Sequence, residues 1–424
     1  MTDQSVMPAE RLNTAPSGPF AALLPALAPG AARELVRDIL VAGASLFLIA
    51  SVSYVATIDW RGAIPRDATS LALGRDFLNF WMYGRAAGSA DPGRFYAFAT
   101  YHRALADLFG VEFPGQNWSY PPSVMLVAAP FARLDYLPAL ALWTLLGIVV
   151  FFAVASRHVG DRRILIPVLV SPAALFCLVS GQSAFLTAAV MIAAFGWLDR
   201  RPLLAGMLIG LLTIKPQLGI LVPFMLAASG RWRVFWSAGA MAILIAGAAT
   251  ALFGTKVWAD FFTMGLPAQG LVLADPDRIA TPFFPTVFMN LRGAGLGYAG
   301  AMSVQAMFSL GAAFAVVWAF RARKNADAGL LIALFLAASA TASPYLLAYD
   351  LLPLTFAAVV LLLTVPLDAS GRRLVQLTYF APALQLALGP YHLPGPALIA
   401  PCLAGYLLMR LARGPAPEAA SGPG

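Results

Sequence analysis

The sequence predicts an all-α, polytopic integral membrane protein. Three observations predict it. Of the 424 residues 60% are hydrophobic and only 11% are charged, whereas about a quarter of a soluble domain is charged. Apolar runs approaching bilayer length recur along the whole chain. Most basic residues sit in the short polar segments between those runs. The formal net charge of +8 is then orientation information before it is a nucleic-acid footprint, and no nucleic-acid partner is expected. Cys177 and Cys402 both lie in apolar runs and read as small buried hydrophobes, not as a disulfide. His102, His158 and His392 are scattered, so no metal site is expected. There is no P-loop and no GxGxxG followed by a strand, and no cofactor is expected.

Residues 1–33 are rich in Pro, Ser and Ala and lack the apolar core of a secretory signal, so they read as a disordered cytoplasmic tail. Residues 414–424, "GPAPEAASGPG", read the same way. Between them, 34–413 form one membrane domain. The first span is 39–58, and Arg33 and Arg37 place its start in the cytoplasm. A long first extracytoplasmic loop follows, 59–135. Spans at 136–156, 164–179 and 184–198 run between "RHVGDRR" and "DRR", both cytoplasmic.

Two short runs, 203–214 and 217–228, are flanked by "DRR" and "GRWR", so they form a hairpin with both feet inside. The span 234–253 leads to a second large outer loop, 254–298. The remaining spans are 298–320, 328–347, 351–365, 374–388 and 394–411. This gives about twelve transmembrane helices, with both ends cytoplasmic and Arg or Lys at every inward end.

At the outer tip of the hairpin, Lys215 sits inside "GLLTIKPQLG". An ammonium at the centre of a bilayer helix costs about 2.5–3.5 kcal/mol. Either the lysine snorkels out to the interface or something anionic meets it. Pro216 predicts a break at that point.

The first loop contains "GRDFLNFWMYGRAAG", where Phe77, Phe80, Trp81 and Gly84 recur at helical spacing. The spacing predicts an amphipathic helix lying in the interface with its aromatic face down. Asp76 starts it, either as an N-cap or as a carboxylate presented to a substrate. "FYAFATYHRAL" predicts a second juxtamembrane helix carrying Tyr96 and Tyr101, and the run 123–132 is too short to span. Asp350, in "SPYLLAYDLL", is the one acid within an apolar core and lies at the outer end of its helix. Asp76, Lys215 and Asp350 can thus reach one depth at the outer leaflet, where ionisable groups suggest a functional site.

An ordered set of motifs resembles one family. It comprises Asp76-Phe77 with Phe80 after the first span, Tyr120-Pro121-Pro122, Gly181-Gln182, Lys215-Pro216-Gln217, Ser343-Pro344 and Tyr349-Asp350. The chain resembles glycosyltransferase family 87, of the GT-C superfamily, from about residue 36 to 411. The resemblance implies a GT-C-like helical membrane fold. It also implies a polyprenyl-phosphate sugar donor, with mannose expected, and a glycan or lipid acceptor beside the lipid bilayer. Asp76 matches the position of the catalytic base, and Lys215 that of a lysine near the carrier phosphate. Two departures are visible: Tyr345 stands where a histidine is expected, and "GSADPGRFY" is longer than the compact turn of the family.

The residues fit that chemistry. Asp76 can take the acceptor proton, and Lys215 can stabilise the leaving phosphate. Arg75 can bind the phosphate, hold Asp76 ionised or contact lipid headgroups. Tyr96, Trp118 and Tyr120 can stack on sugar rings or anchor to the interface. Gln182 can bond substrate or cap its helix, and Gln217, Tyr345 and Asp350 complete the candidate substrate-binding set. The Ala/Arg/Leu/Gly bias suggests a high-GC bacterium, hence an inner-membrane, multi-pass protein with its active site facing outward. The rival classes are a transporter or lipid flippase, which would show repeats and midplane acids, and an O-antigen-type ligase or polymerase.

Overall fold

A computed structural model describes residues 31–413 apart from 111, 114, 115, 117 and 276–280. The tails assigned to 1–30 and 414–424 lie outside the described residues. Among the described residues the chain is helical and forms no strand; its extended pairing is limited to the isolated bridges Asp59–Arg66 and Arg66–Ala72 in the first loop.

After α1 (Ala31–Ala56) the first loop carries α2 (Phe77–Ala87), α3 (Phe98–Phe109) and α4 (Val124–Ala128). The helix α5 (Tyr136–Ala155) re-enters the apolar body. Next come α6 (Leu165–Leu169) and α7 (Pro172–Ser180), bent from one another by 62°. Ser171 explains the bend: its hydroxyl caps α7 by accepting from Ala174 N at 3.2 Å, and Pro172 occupies the first helical position. α8 (Ala184–Trp197), α9 (Pro202–Leu211), α10 (Val222–Ala228) and α11 (Trp232–Phe253) follow. The predicted break between α9 and α10 is present, with 3-10 turns at Leu212–Ile214 and Pro216–Gly219 on either side of Lys215.

The second loop holds α12 (Lys256–Asp260), a π turn at Phe261–Gly265, α13 (Leu266–Ala274) and α14 (Val287–Gly293). The chain continues through α15 (Tyr298–Ala322), α16 (Ala328–Ala342), α17 (Leu352–Thr364), α18 (Ala369–Leu388) and α19 (Ile399–Arg413).

Each apolar run picked out in the sequence is helical over most of its length. Among the described residues five helical stretches are long and apolar enough to cross a membrane alone: Leu35–Ala56, Tyr136–Ala155, Trp232–Phe253, Tyr298–Ala322 and Gly395–Arg413. The bent pair around Ser171 makes a sixth if it counts as one span. Burial sorts the helices. α16 and α17 are apolar all round and almost wholly buried, which makes them the centre of the main core. α1, α5, α11 and α15 instead keep large apolar side chains exposed on their outer faces, such as Ile49, Leu145, Ile243 and Leu310, the pattern of helices that face lipid. Cys177 is buried as expected, but Cys402 is exposed, and both are free thiols.

The expected interfacial helix is corrected. α2 does not lay an aromatic face on the membrane; Phe77, Phe80 and Trp81 pack inside the protein. Phe80 lies 4.1 Å from the Trp143 ring and 5.8 Å from that of Phe131, and Trp81 Nε1 donates to the Leu134 carbonyl at 3.0 Å. The first loop folds into a separate aromatic core over the start of α5, so both faces of α2 are covered by protein. Hydrophobic spacing alone does not tell lipid from a protein neighbour.

Candidate active site

Asp76 begins α2, yet its side chain caps nothing. The N-cap reading is replaced by a tertiary one: the carboxylate Oδ2 accepts from Gln182 Nε2 at 3.0 Å and from the Tyr349 hydroxyl at 3.0 Å. Tyr120 completes the cluster, its hydroxyl 3.2 Å from Gln182 Nε2 and 3.3 Å from Oε1. Four residues from four distant stretches of the chain therefore form one cluster, with Gln182 and Tyr349 on the carboxylate and Tyr120 on Gln182.

Local structure explains how each arrives. α7 ends in a Schellman turn, with Gln182 N bonded to the Cys177 carbonyl at 3.0 Å and Gly181 N to that of Leu178 at 3.2 Å. Gly181 takes φ +59°, and a Cβ there would meet Phe77 Cβ at 2.6 Å and the Gly74 carbonyl at 2.9 Å. Only glycine lets α7 end this close to α2, and that approach aims Gln182 at Asp76. On the other side, Arg75 holds φ +34°, a left-handed value outside the usual range of an arginine, directly beside Asp76. Tyr120 is fixed by its backbone: its N–H donates to the Tyr83 hydroxyl at 2.8 Å, and its carbonyl accepts from Tyr96 at 2.8 Å and Tyr83 at 3.0 Å.

The cluster opens into a cavity of about 860 Å³, large enough for a drug-sized or larger ligand. Asp76, Arg75, Tyr120, Gln182, Gln217 and Tyr345 all line it. Part of its wall, including Phe261, Leu266, Phe283 and Phe284, comes from the second loop. The Asp76 carboxyl is held above the usual carboxylate range by desolvation, with the hydrogen bonds from Gln182 and Tyr349 and the nearby cations opposing that rise. A carboxylate with a raised affinity for protons, facing a cavity, is suited to act as a base.

The other residues singled out in the sequence fall elsewhere, and three readings are corrected. Lys215 does not snorkel; its side chain is 3% exposed and pairs with Asp350 at 2.6 Å, and the Tyr349 ring covers the ammonium at 4.7 Å. Something anionic meets it, and that something is Asp350, which is equally buried. The pair lies one layer behind Tyr349 and lines the cavity through neither residue. Tyr96 and Trp118 are 2% exposed and support the site rather than face it, Trp118 stacking on Tyr83 at 3.6 Å. Arg75 does not reach for lipid headgroups: Nε and Nη2 both donate to Asp67 Oδ2, at 2.9 and 2.6 Å. Among the described residues that line the cavity it is one of two that are charged, the other being Asp76.

Sequence reasoning missed Tyr349 as a hydrogen-bond partner of Asp76. It also missed Asn79, one helical turn beyond Asp76 and lining the same cavity. The spacing Asp76-x-x-Asn79 was the available signal.

A polytopic helical body that encloses a carboxylate-bearing cavity beneath an aromatic dome defines a membrane enzyme. The model of glycosyltransferase family 87 matches residues 118–348, over half of the chain, and the chain belongs to that family. It is a membrane glycosyltransferase. No curated protein and no solved structure matched the chain. The matched segment contains Tyr120, Gln182, Lys215, Gln217 and Tyr345. Asp76 and Tyr349 lie outside it and are tied to it by the hydrogen bonds on Gln182 and Asp76.

Proposed function

We propose that the protein transfers a sugar, mannose in the first instance, from a polyprenyl-phosphate donor to a glycan or lipid acceptor on the extracytoplasmic side of a bacterial inner membrane. The chain then crosses about twelve times, and the cavity opens at the outer leaflet. Asp76 is the general base. It takes the proton of the acceptor hydroxyl as that oxygen attacks the anomeric carbon, and the bond from that carbon to the phosphate oxygen breaks. The carrier phosphate leaves with the electron pair. Arg75 is the cation the cavity offers to that phosphate. Lys215 keeps its charge behind Tyr349 and supports Asp76 from there, in place of the direct phosphate contact that the family resemblance implies. Gln182, Tyr120 and Tyr349 hold the base.

The observation that carries this reading is the Asp76 carboxylate, bonded at 3.0 Å by both Gln182 and Tyr349 in the wall of the large cavity. The test is transfer of labelled mannose from synthetic polyprenyl-phosphate mannose by the purified protein, with an endogenous lipid extract as acceptor pool. Asp76→Asn is expected to lower turnover by at least about a hundredfold. An Asp76→Asn protein with full turnover would remove the base assignment.

A further inference from the structure

Two amides beside Asp76 remain without a role in the proposed chemistry. Asn79 lies on the same face of α2 as Asp76, three residues on, and is 8% exposed. Its Oδ1 accepts from the Tyr101 hydroxyl at 2.6 Å. That bond orients the amide and leaves its Nδ2 donor without a partner among the described residues. Gln116 lies in the loop before Tyr120 and is 3% exposed. Its backbone carbonyl is held by His102 Nε2 at 2.9 Å, but its side-chain Oε1 is buried with no hydrogen-bond partner. Both residues line the cavity. A buried amide oxygen left unbonded costs about 1–3 kcal/mol, and that cost is removed when a ligand supplies a donor.

We propose that Asn79 and Gln116 form a hydroxyl-recognition subsite for a neutral pyranose ring adjacent to Asp76. The pairing is chemically complete: Asn79 Nδ2 donates to one sugar hydroxyl and Gln116 Oε1 accepts from another. A hydroxyl can do both, so two neighbouring hydroxyls on one ring satisfy both amides. Charge argues for a neutral sugar. Among the described residues lining the cavity only Arg75 and Asp76 are charged, and the proposed chemistry gives Arg75 to the carrier phosphate. A uronate carboxylate at the amide pair, beside the Asp76 carboxylate, would be desolvated without a counter-ion. The remaining polar lining follows the same rule, with the amides Gln182, Gln217 and Gln269 facing the same space. The ring is either the donor sugar or the terminal sugar of the acceptor, since both must approach Asp76. The proposal rests on the reading that the cavity takes sugar substrates.

The test reads binding without turnover. The full chain, purified into lipid nanodiscs, is titrated with methyl α-mannopyranoside and its uronate, methyl α-mannuronide, by saturation-transfer NMR. The neutral glycoside is expected to bind and the uronate to bind at least tenfold more weakly. Gln116→Leu keeps the backbone contact to His102 and removes the acceptor. Asn79→Asp keeps the acceptor for Tyr101 and removes the donor. Each is expected to weaken the neutral glycoside by about tenfold, and Gln116→Leu, which removes a buried unbonded oxygen, to unfold no lower than wild type. Competition with a short polyprenyl-phosphate mannose assigns the source: displacement means the donor sugar, co-binding the acceptor sugar. The subsite is overturned if wild type binds no glycoside, if the uronate binds as well, or if Gln116→Leu binds like wild type. Failure of mannose transfer is a separate result, because this readout needs no donor chemistry.

Discussion

The Tyr349 hydroxyl donates to Asp76 Oδ2 at 3.0 Å while the same ring lies 4.7 Å from the Lys215 ammonium. One side chain therefore touches the candidate base with its polar end and a buried cation with its face, an arrangement favourable to both. Tyr349 is a positioning residue with an electrostatic consequence, because its hydrogen bond favours the ionised form of Asp76.

Tyr349→Phe keeps the ring over Lys215 and deletes only the hydroxyl. Burial already holds the Asp76 carboxyl above its usual range, with the Gln182 and Tyr349 hydrogen bonds acting against the rise. A base works ionised, so transfer falls as pH drops through its pKa. Losing a bond to the ionised form raises that pKa further and moves the acid limb of the rate profile to higher pH. At neutral pH the variant is expected to lose about tenfold in kcat and to regain part of it as pH rises. An unchanged limb position with a uniformly lower rate would show a packing role only.

Lys215 and Asp350 should behave as a unit. Removing one partner of a buried pair costs about 3–5 kcal/mol, whereas replacing both by apolar groups is often neutral or better. Lys215→Met and Asp350→Leu are each expected to lower the thermal midpoint sharply, and the double variant to recover most of it. The double variant is also expected to transfer sugar faster than either single one. If instead it is as inactive as Lys215→Met while fully stable, the lysine contacts the phosphate directly.

Gly181→Ala tests the close approach of α7 to α2. The added Cβ is strained by φ +59° and collides with Phe77 and Gly74. A loss of about 1–3 kcal/mol is expected, together with a fall in transfer as Gln182 leaves Asp76. Gly62→Ala is the control, since Gly62 has φ +95° and nothing within 4 Å of its added Cβ. It is expected to cost less and to leave transfer intact, as followed by unfolding midpoints and initial rates.

Sidedness can be read with single cysteines in a background lacking Cys177 and Cys402. In the proposed topology Arg61, with a 95% exposed side chain, belongs to the first outer loop, and the exposed Arg200 to a basic inner turn. Arg61→Cys is expected to react with an impermeant maleimide in intact cells, and Arg200→Cys only after permeabilisation. The reverse pattern would invert the topology.

Hydropathy and loop charge made the helical segments legible, including the break at Lys215-Pro216, because they depend on composition over many residues. Asp76 was legible as one acid in a long aromatic loop, and Gln182 as the residue after a helix-ending glycine. The fate of Lys215 was not. Its partner lies 135 residues away, and only the packing of α16 and α17 against α8 and the turn at Pro216–Gly219 decides between pairing and snorkelling. The inward placement of Tyr96 and Trp118 was hidden for the same reason: an aromatic at a membrane edge and one in a small core share the same local spacing. Asn79 carried only its spacing from Asp76, and Gln116 no signal, until the cavity gave them a common wall.

The separation of Lys215 from Asp350 also sets an order of assembly. At about 5–20 residues per second of synthesis, the lysine precedes its partner by on the order of ten seconds. Throughout that interval the nascent chain holds an ammonium in an apolar hairpin with no anion to meet it. The ion pair that buries this lysine forms only when the last third of the chain delivers Asp350. Only then can the helices close around the pair, so a truncated chain ending before that aspartate exposes its own defect to the cell.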